Sequence, residues 1–223
     1  NPNNNPRQKT AEILREAFIA SLNPDILHFT SFFEGFVDEG VTSIGRLNTG
    51  FILSVTSYDI IPLLNPVEYL ESNPIYKNYY LGKIEQFKRA TCYLAISNSS
   101  LEECADGLGQ EKIKFNNVSG GVENYFKPLK LSESQIADHR LNFGIHEKFI
   151  LCVGSADERK NLSRLILAFG NLPKNLFDET SLVLVGRMSD DEVAHFRKIA
   201  QQAGIPVEKL HFLGLIDDQK LVI

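Results

Sequence analysis

The segment FILCVGSADERKNLSRLILAF, residues 149–169, decides how this chain folds. Its first residues, Phe149-Ile150-Leu151-Cys152-Val153, make an apolar run of strand length, which predicts a buried parallel β-strand. The run breaks at Gly154-Ser155, where small side chains let backbone approach a ligand closely. Arg159 and Lys160 stand immediately before Asn161, a residue type suited to capping a helix. Leu162, Leu165, Ile166 and Phe169 then recur at helical spacing, and Gly170 is placed to close the helix. Two cations would thus flank the partly positive end of a helix at the carboxyl edge of a sheet, a place suited to phosphate. A plainer reading, solvated cations at an ordinary strand–helix junction, stays open on these residues alone.

The pattern recurs downstream. Ser181-Leu182-Val183-Leu184-Val185 is a second apolar run, and it stops at Gly186. Ser189 is placed to cap a helix whose first turn is acidic (Asp190, Asp191, Glu192) and whose apolar face is Val193, Phe196, Ile199, Ala200 and Ala203, with Gly204 after it. A third run, Leu210-His211-Phe212-Leu213, ends at Gly214, and Asp217-Asp218 read as the start of another helix. Strands that end in glycine on one edge of a parallel sheet predict half of a doubly wound α/β domain, with a ligand crevice along that edge.

The bulk numbers narrow the class. A chain of 223 residues has room for one large or two small domains. Hydrophobic residues at 43% and charged residues at 23% describe an ordinary globular protein. A net charge of −5 argues against a nucleic-acid partner. No apolar stretch reaches the roughly 18 residues of a membrane span, and the polar start NPNNNPRQK is no secretory signal. Cys92, Cys104 and Cys152 are too widely spaced for a metal site and read as reduced thiols of a cytoplasmic protein. The five histidines show no zinc-ligand pattern, so no metal is expected. The missing initial Met and the stop inside an apolar run at Leu221-Val222-Ile223 read as the ends of a fragment.

The first half alternates in the same way. A helix is predicted over 7–22 with Ile13, Leu14, Ala17, Phe18 and Leu22 inward, then strands over 25–30 and 51–56. Pro62 is expected to end regular structure after Ser57-Tyr58-Asp59. A helix follows from Pro74 to about residue 90, then a strand over 92–97, a capped helix start at Asn98-Ser99-Ser100 and a strand over 112–116. The turn-rich stretch 117–128 is the natural joint between two α/β lobes, 1–128 and 129–223. The helix from Pro74 carries Lys77, Lys83, Lys88 and Arg89 among tyrosines. That composition admits peripheral contact with an anionic membrane, but Tyr80, Ile84 and Phe87 already make a core stripe.

With these residues in view, the chain resembles the retaining glycosyltransferases of the GT-B fold. It is most similar to the glycogen-synthase-like group that includes bacterial mannosyltransferases of polysaccharide synthesis. The resemblance rests on SYDIIPL (57–64, with a second Leu), LAISNSS (94–100), GGVENYFKP (120–128), VGSADERKNLSRLILAF (153–169), LVLVGR (182–187) and LHFLGLIDDQKL (210–221), in this order along nearly the whole chain. It implies two Rossmann-like lobes, both incomplete in this chain.

The resemblance further implies a hexosyltransferase that moves a sugar, with mannose from GDP-mannose as the suggested donor, to a glycan or lipid-linked acceptor with retention. Lys160 would bind the diphosphate, with Arg159 in place of an arginine that the family more often sets where Ser155 stands. Gly154, Gly186, Arg187, Gly214 and Ile216 complete the donor side, the last two where the family's nucleotide base rests on backbone. Tyr58 takes the place of a family histidine before Asp59. The family's paired catalytic glutamates are expected beyond Ile223, which leaves the catalytic residues unknown here and the fragment itself inactive. Glu34-Gly35-Phe36 resembles the first half of that motif, with Thr42 where the second glutamate would stand, and is read as an acceptor-side or structural loop. His28, at the end of a strand, is either an acceptor contact or a hydrogen-bonded packing residue. No cofactor is expected beyond the nucleotide-sugar co-substrate, and the expected location is cytoplasmic, with room for peripheral contact at the inner face of the membrane. A sugar-nucleotide epimerase and a non-catalytic binding module remain the alternatives. A nicotinamide-dependent dehydrogenase lacks its GxGxxG fingerprint.

Overall fold

A computed structural model describes residues 5–47 and 50–222, apart from the side chain of residue 5. The Asn-rich start and the last residue of the expected terminal helix lie outside the described residues. The chain divides into two compact units, Asn1–Gly121 and Val122–Ile223.

The first unit runs α1 (Asn5–Ser21), β1 (Ile26–Phe29), β2 (Ile52–Ser57), α2 (Ile61–Leu64), α3 (Pro66–Tyr69), α4 (Pro74–Phe87), β3 (Cys92–Ala95), α5 (Asn98–Leu108) and β4 (Phe115–Asn117). Its four strands are parallel, in the order β1-β2-β3-β4. Phe29, Val55, Tyr93 and Phe115 sit side by side in register across the sheet and build the core with Tyr80, Ile84 and Phe87 of α4 and Cys104, Ala105 and Leu108 of α5. β-branched and aromatic residues fill this row because a pleated surface packs them well.

Several local expectations give way to tertiary contacts. In α1 the apolar residues expected inward are exposed: Leu14 is 65% and Phe18 64% exposed, Ile13 and Ala17 are exposed too, and so is Leu22 just past the helix. The buried side is carboxylate. Glu12 accepts from Arg46 Nε at 2.7 Å and Nη2 at 2.6 Å, and Glu16 accepts from Ser43 Oγ at 2.6 Å and the Leu47 N–H at 2.7 Å. Desolvated carboxylates with these partners outweigh the ordinary apolar preference. Pro62 opens α2 instead of ending structure, since proline suits the first helical turn. The expected strand over 112–116 begins as a 3₁₀ turn at Lys112–Lys114 and becomes β4 only at Phe115. The four basic residues in and just after α4 are all bonded within the unit: Lys77 to Glu71, Lys83 to Thr42, Lys88 to Glu85 and Arg89 to Gly45. Among the described residues no helix is long and apolar enough to cross a membrane.

The second unit runs α6 (Glu133–Asn142), β5 (Lys148–Val153), α7 (Leu162–Gly170), α8 (Lys174–Asp178), β6 (Thr180–Val185), α9 (Asp190–Gln202), β7 (Leu210–Gly214) and α10 (Asp218–Leu221). The strands are parallel, in the order β5-β6-β7. β6 alternates cleanly: Leu182 and Leu184 join Leu162, Ile166, Phe169, Phe196 and Ala200 beneath α7 and α9, while Val183 and Val185 join Ile145 on the other face. β5 is not the buried strand its composition predicts. Phe149, Ile150, Leu151 and Val153 are all exposed, because among the described strands β5 pairs with β6 alone and lies at the edge. Gly170 is the last residue of α7, with Asn171 after it as the cap; its missing Cβ makes room for Ile205, 3.1 Å from where a Cβ would stand.

Candidate active site

The carboxyl ends of β5, β6 and β7 all carry glycine, and the reason is steric. Gly154 N–H donates to Val185 O at 2.8 Å, and Gly186 N–H donates to Gly214 O at 2.8 Å. A Cβ on Gly186, whose φ is +146°, would lie 2.0 Å from the Gly154 carbonyl oxygen. The backbones therefore close on one another and leave no room for a side chain at Gly186.

Beyond Gly154 the chain makes a single 3₁₀ turn, Glu158–Lys160, that delivers both cations to the start of α7. Asp157 caps the turn by accepting from the Arg159 N–H at 3.0 Å, and its two carboxylate oxygens also take Arg159 Nε and Nη2, each at 3.0 Å. That hydrogen bonding, above all, holds the Asp157 carboxyl below the ordinary carboxylate range. Lys160 is placed differently. Its methylenes run beside Gly154, 3.6 Å from where a Cβ would be. Among the described residues its ammonium has no hydrogen-bond or ion-pair partner within bonding distance. Asn161 is the N-cap of α7 by position but not by chemistry: it adopts a left-handed conformation, φ 52°, and its side chain makes no capping bond. The first-turn amides of α7 are thus left without the expected side-chain acceptor, next to an unpartnered cation.

The other donor-side residues divide. Ser155 and Arg187 are exposed just past the ends of β5 and β6. Gly214 ends β7. The Ile216 side chain packs with Ile145, Val183 and Val185 on the face beneath α6, so only its backbone is offered to the edge. α9 begins with a capping box in which Ser189 and Glu192 satisfy each other's backbone N–H.

In the first unit, Tyr58 and Asp59 follow β2 and line a cavity of about 250 Å³ with Phe33, Thr56, Tyr76 and Tyr80. Asp59 Oδ1 accepts from the Ile61 N–H at 3.1 Å, which orients the carboxylate at the start of α2. Burial, and then the Asp59 charge, push the Tyr76 phenol upward. His28 does not line this cavity; its ring nitrogens are bonded to Ser54 Oγ at 3.0 Å and Thr56 Oγ1 at 3.1 Å across β2. Glu34 accepts from Ser31 through its carboxylate and from Tyr79 OH through its carbonyl at 2.6 Å, so it serves to tie its loop to α4. Sequence reasoning missed Asp157, although a carboxylate two residues before an arginine is a local signal, and missed Phe33 and Tyr76, for which no local signal exists. Among the described residues no cluster of His, Cys, Asp and Glu is arranged to hold a metal ion.

Parallel strands with glycine-terminated carboxyl ends, wound with helices in two units, define an α/β fold of the kind found in GT-B glycosyltransferases. Two solved structures share it: HepE of Anabaena in complex with UDP-glucose, 19% identical, with 78% of this chain and 44% of that one aligned at a TM-score of 0.57, and WaaG, a glycosyltransferase involved in lipopolysaccharide biosynthesis, 17% identical, with 96% and 68% aligned at 0.57. Residues 135–223 match the glycosyl transferases group 1 family. The chain is also 30% identical over 219 residues to the serotype-specific mannosyltransferase WbdA of Escherichia coli, a match that covers 98% of this chain and 27% of WbdA. The chain thus spans about a quarter of the length of that relative.

Proposed function

We propose that this chain is part of a hexosyltransferase that takes its sugar from a nucleoside diphosphate. The observation that carries the reading is Lys160: an unpartnered ammonium beside Gly154, at the open N-terminus of α7. A diphosphate at this position would receive a charge-assisted bond from Lys160 and amide donors from the helix. Those groups meet the charge that grows on the leaving diphosphate as the sugar–phosphate bond breaks, which is where electrostatic catalysis acts. Mannose as the transferred sugar, GDP as the leaving nucleotide, transfer to a glycan or lipid-linked acceptor and retention at the anomeric carbon belong to the same proposal; the likeness to a mannosyltransferase supports the first. Calorimetric titration of GDP and UDP into the wild-type chain and into Lys160→Ala tests the diphosphate assignment.

A further inference from the structure

We infer that the groove between α1 and α4 in the first unit is a binding site for a small, water-soluble phosphate dianion, inorganic or esterified. Lys9 and Glu12 from α1, Arg46 from the loop before β2 and Lys83 from α4 all line this cavity of about 440 Å³. Three cations therefore face one carboxylate, and that carboxylate is engaged. Glu12 Oε2 accepts from both Nε and Nη2 of Arg46, which leaves the guanidinium's other terminal nitrogen for a ligand. Lys9 is exposed and has no hydrogen-bond or ion-pair partner among the described residues. Such a lining favours a dianion over a neutral solute.

Lys83 is the decisive group. It is 3% exposed, yet among the described residues its ammonium meets no carboxylate. The ammonium donates to the Thr42 carbonyl and, at 2.7 Å, to Thr42 Oγ1, and it lies over the rings of Phe32 and Tyr79. An ammonium has three N–H donors, and these hydrogen bonds take two of them. A buried charge without a counter-ion is costly, and burial pushes this ammonium down to about 8. Arg15, one turn along α1 from Glu12, adds to the same positive field, and its Nη1 is buried without a hydrogen-bond partner. At Gly82 nothing lies within 4 Å of an added Cβ, so the groove is open beside Lys83. Gln86 Oε1 accepts from the Ile44 N–H at 3.2 Å, which leaves its amide group as a neutral donor on the groove wall. The volume is that of a small-molecule site and has room for an ester beyond the phosphate itself. A membrane surface would reach exposed cations, but Lys83 is buried, and Lys77 and Lys88 are already paired with Glu71 and Glu85. The groove therefore suits a free solute.

The test is NMR of the isotopically labelled chain, titrated at constant ionic strength with inorganic phosphate and with glycerol 3-phosphate, and read at the Gly82 amide and the Lys83 side chain. A dissociation constant on the order of 1 mM is expected. Lys83→Met should weaken the response at Gly82 about ten-fold or more, and Lys9→Ala about two- to five-fold. Lys9 is a surface residue, so its variant stays readable even where Lys83→Met does not fold. Lys160→Ala should leave these signals unchanged, so that failure of the diphosphate site and failure of this one are told apart. A bound dianion also acts on Lys83 itself: the midpoint of its side-chain titration should rise above 8 in saturating phosphate. Glu12 and Arg15 of α1, Arg46 and Glu34 from the loops and Tyr79 of α4 also face Lys83, and they are common to the titrations with and without phosphate. Absence of a saturable Gly82 response in the folded wild type, a Lys83 midpoint that phosphate does not move, or binding to phosphatidylglycerol vesicles with no response to soluble phosphate overturns the assignment.

Discussion

Asp157 grips Arg159 in a two-point pair, Nε to Oδ1 and Nη2 to Oδ2, both at 3.0 Å, within one 3₁₀ turn. The next residue, Lys160, turns away from that pair and lies along Gly154. Two adjacent cations that look equivalent in sequence therefore have different states. The guanidinium is already matched to a carboxylate, and the ammonium is not.

The first prediction follows directly. Lys160→Ala should weaken binding of GDP or UDP by about 1.5–3 kcal/mol, or roughly ten- to a hundred-fold, the range for a hydrogen bond to a charged group. Arg159→Ala should cost less. Isothermal titration calorimetry measures both, and thermal unfolding should show the fold intact, since neither side chain belongs to an apolar cluster. An unchanged affinity in Lys160→Ala would return this turn to ordinary architecture.

Asp157 restrains Arg159, so its removal should help a bound anion. In Asp157→Ala the guanidinium loses this carboxylate pairing, and nucleoside diphosphate affinity should rise about two- to five-fold at low salt, the worth of an exposed charge pair. Adding Arg159→Ala should erase the gain. Titrations of the single and double variants at two ionic strengths check this, and a gain that survives the double substitution would point to another cause.

The glycine edge makes a stability prediction. Gly186→Ala places a Cβ 2.0 Å from the Gly154 oxygen at φ +146°, and should destabilise the second unit by about 3 kcal/mol or more through clash and strain. Gly144 is a useful contrast: its φ is +66° but nothing lies within 4 Å of an added Cβ. Gly144→Ala should cost only about 1–2 kcal/mol, the left-handed penalty alone. Urea denaturation of the two variants separates clash from conformational strain.

α1 offers a test of its inverted polarity. Glu16→Ala leaves Ser43 and the Leu47 amide without their acceptor and should destabilise by about 1–3 kcal/mol. Phe18→Ser changes a surface position and should stay within about 0.5 kcal/mol of wild type. If the two variants changed places in a denaturant series, the helix would face the other way.

Lys83 supplies the pH dependence. Burial, first of all, pushes its ammonium down to about 8, while its nitrogen donates to Thr42 Oγ1 at 2.7 Å. Below that value the charge is present in folded and unfolded chains alike, and the folded state bears the desolvation. As pH rises through 8 the folded chain releases the proton before the unfolded chain does, so stability should increase toward pH 9.5. The buried tyrosines act in the opposite direction at higher pH; the Tyr93 phenol is raised to about 12 by its burial, so unfolded chains ionise first. Denaturation at pH 7.5 and 9.5 should show the gain in wild type and its loss in Lys83→Met.

What the amino-acid sequence determined by itself is the part written in local interactions. Apolar runs closed by Gly154, Gly186 and Gly214 set three parallel strands, because strand length, chain reversal and helix spacing are properties of adjacent residues. The Ser189–Glu192 capping box lies within four residues and was legible for the same reason. Lys160 beside a glycine strand end was legible too, since strand, turn and helix follow without interruption. The tertiary structure alone decided which side of each element is buried and which cations are free. α1 turned its carboxylates inward because Ser43, Arg46 and Leu47, far along the chain, supply donors. β5 became an edge because exposure depends on neighbouring strands and not on composition. Phe33 and Tyr76 reached Tyr58 and Asp59 only through the packing of α4 on the sheet. Each of these outcomes is a balance of desolvation against partners contributed from elsewhere in the chain, and no window of neighbouring residues contains both sides of that balance.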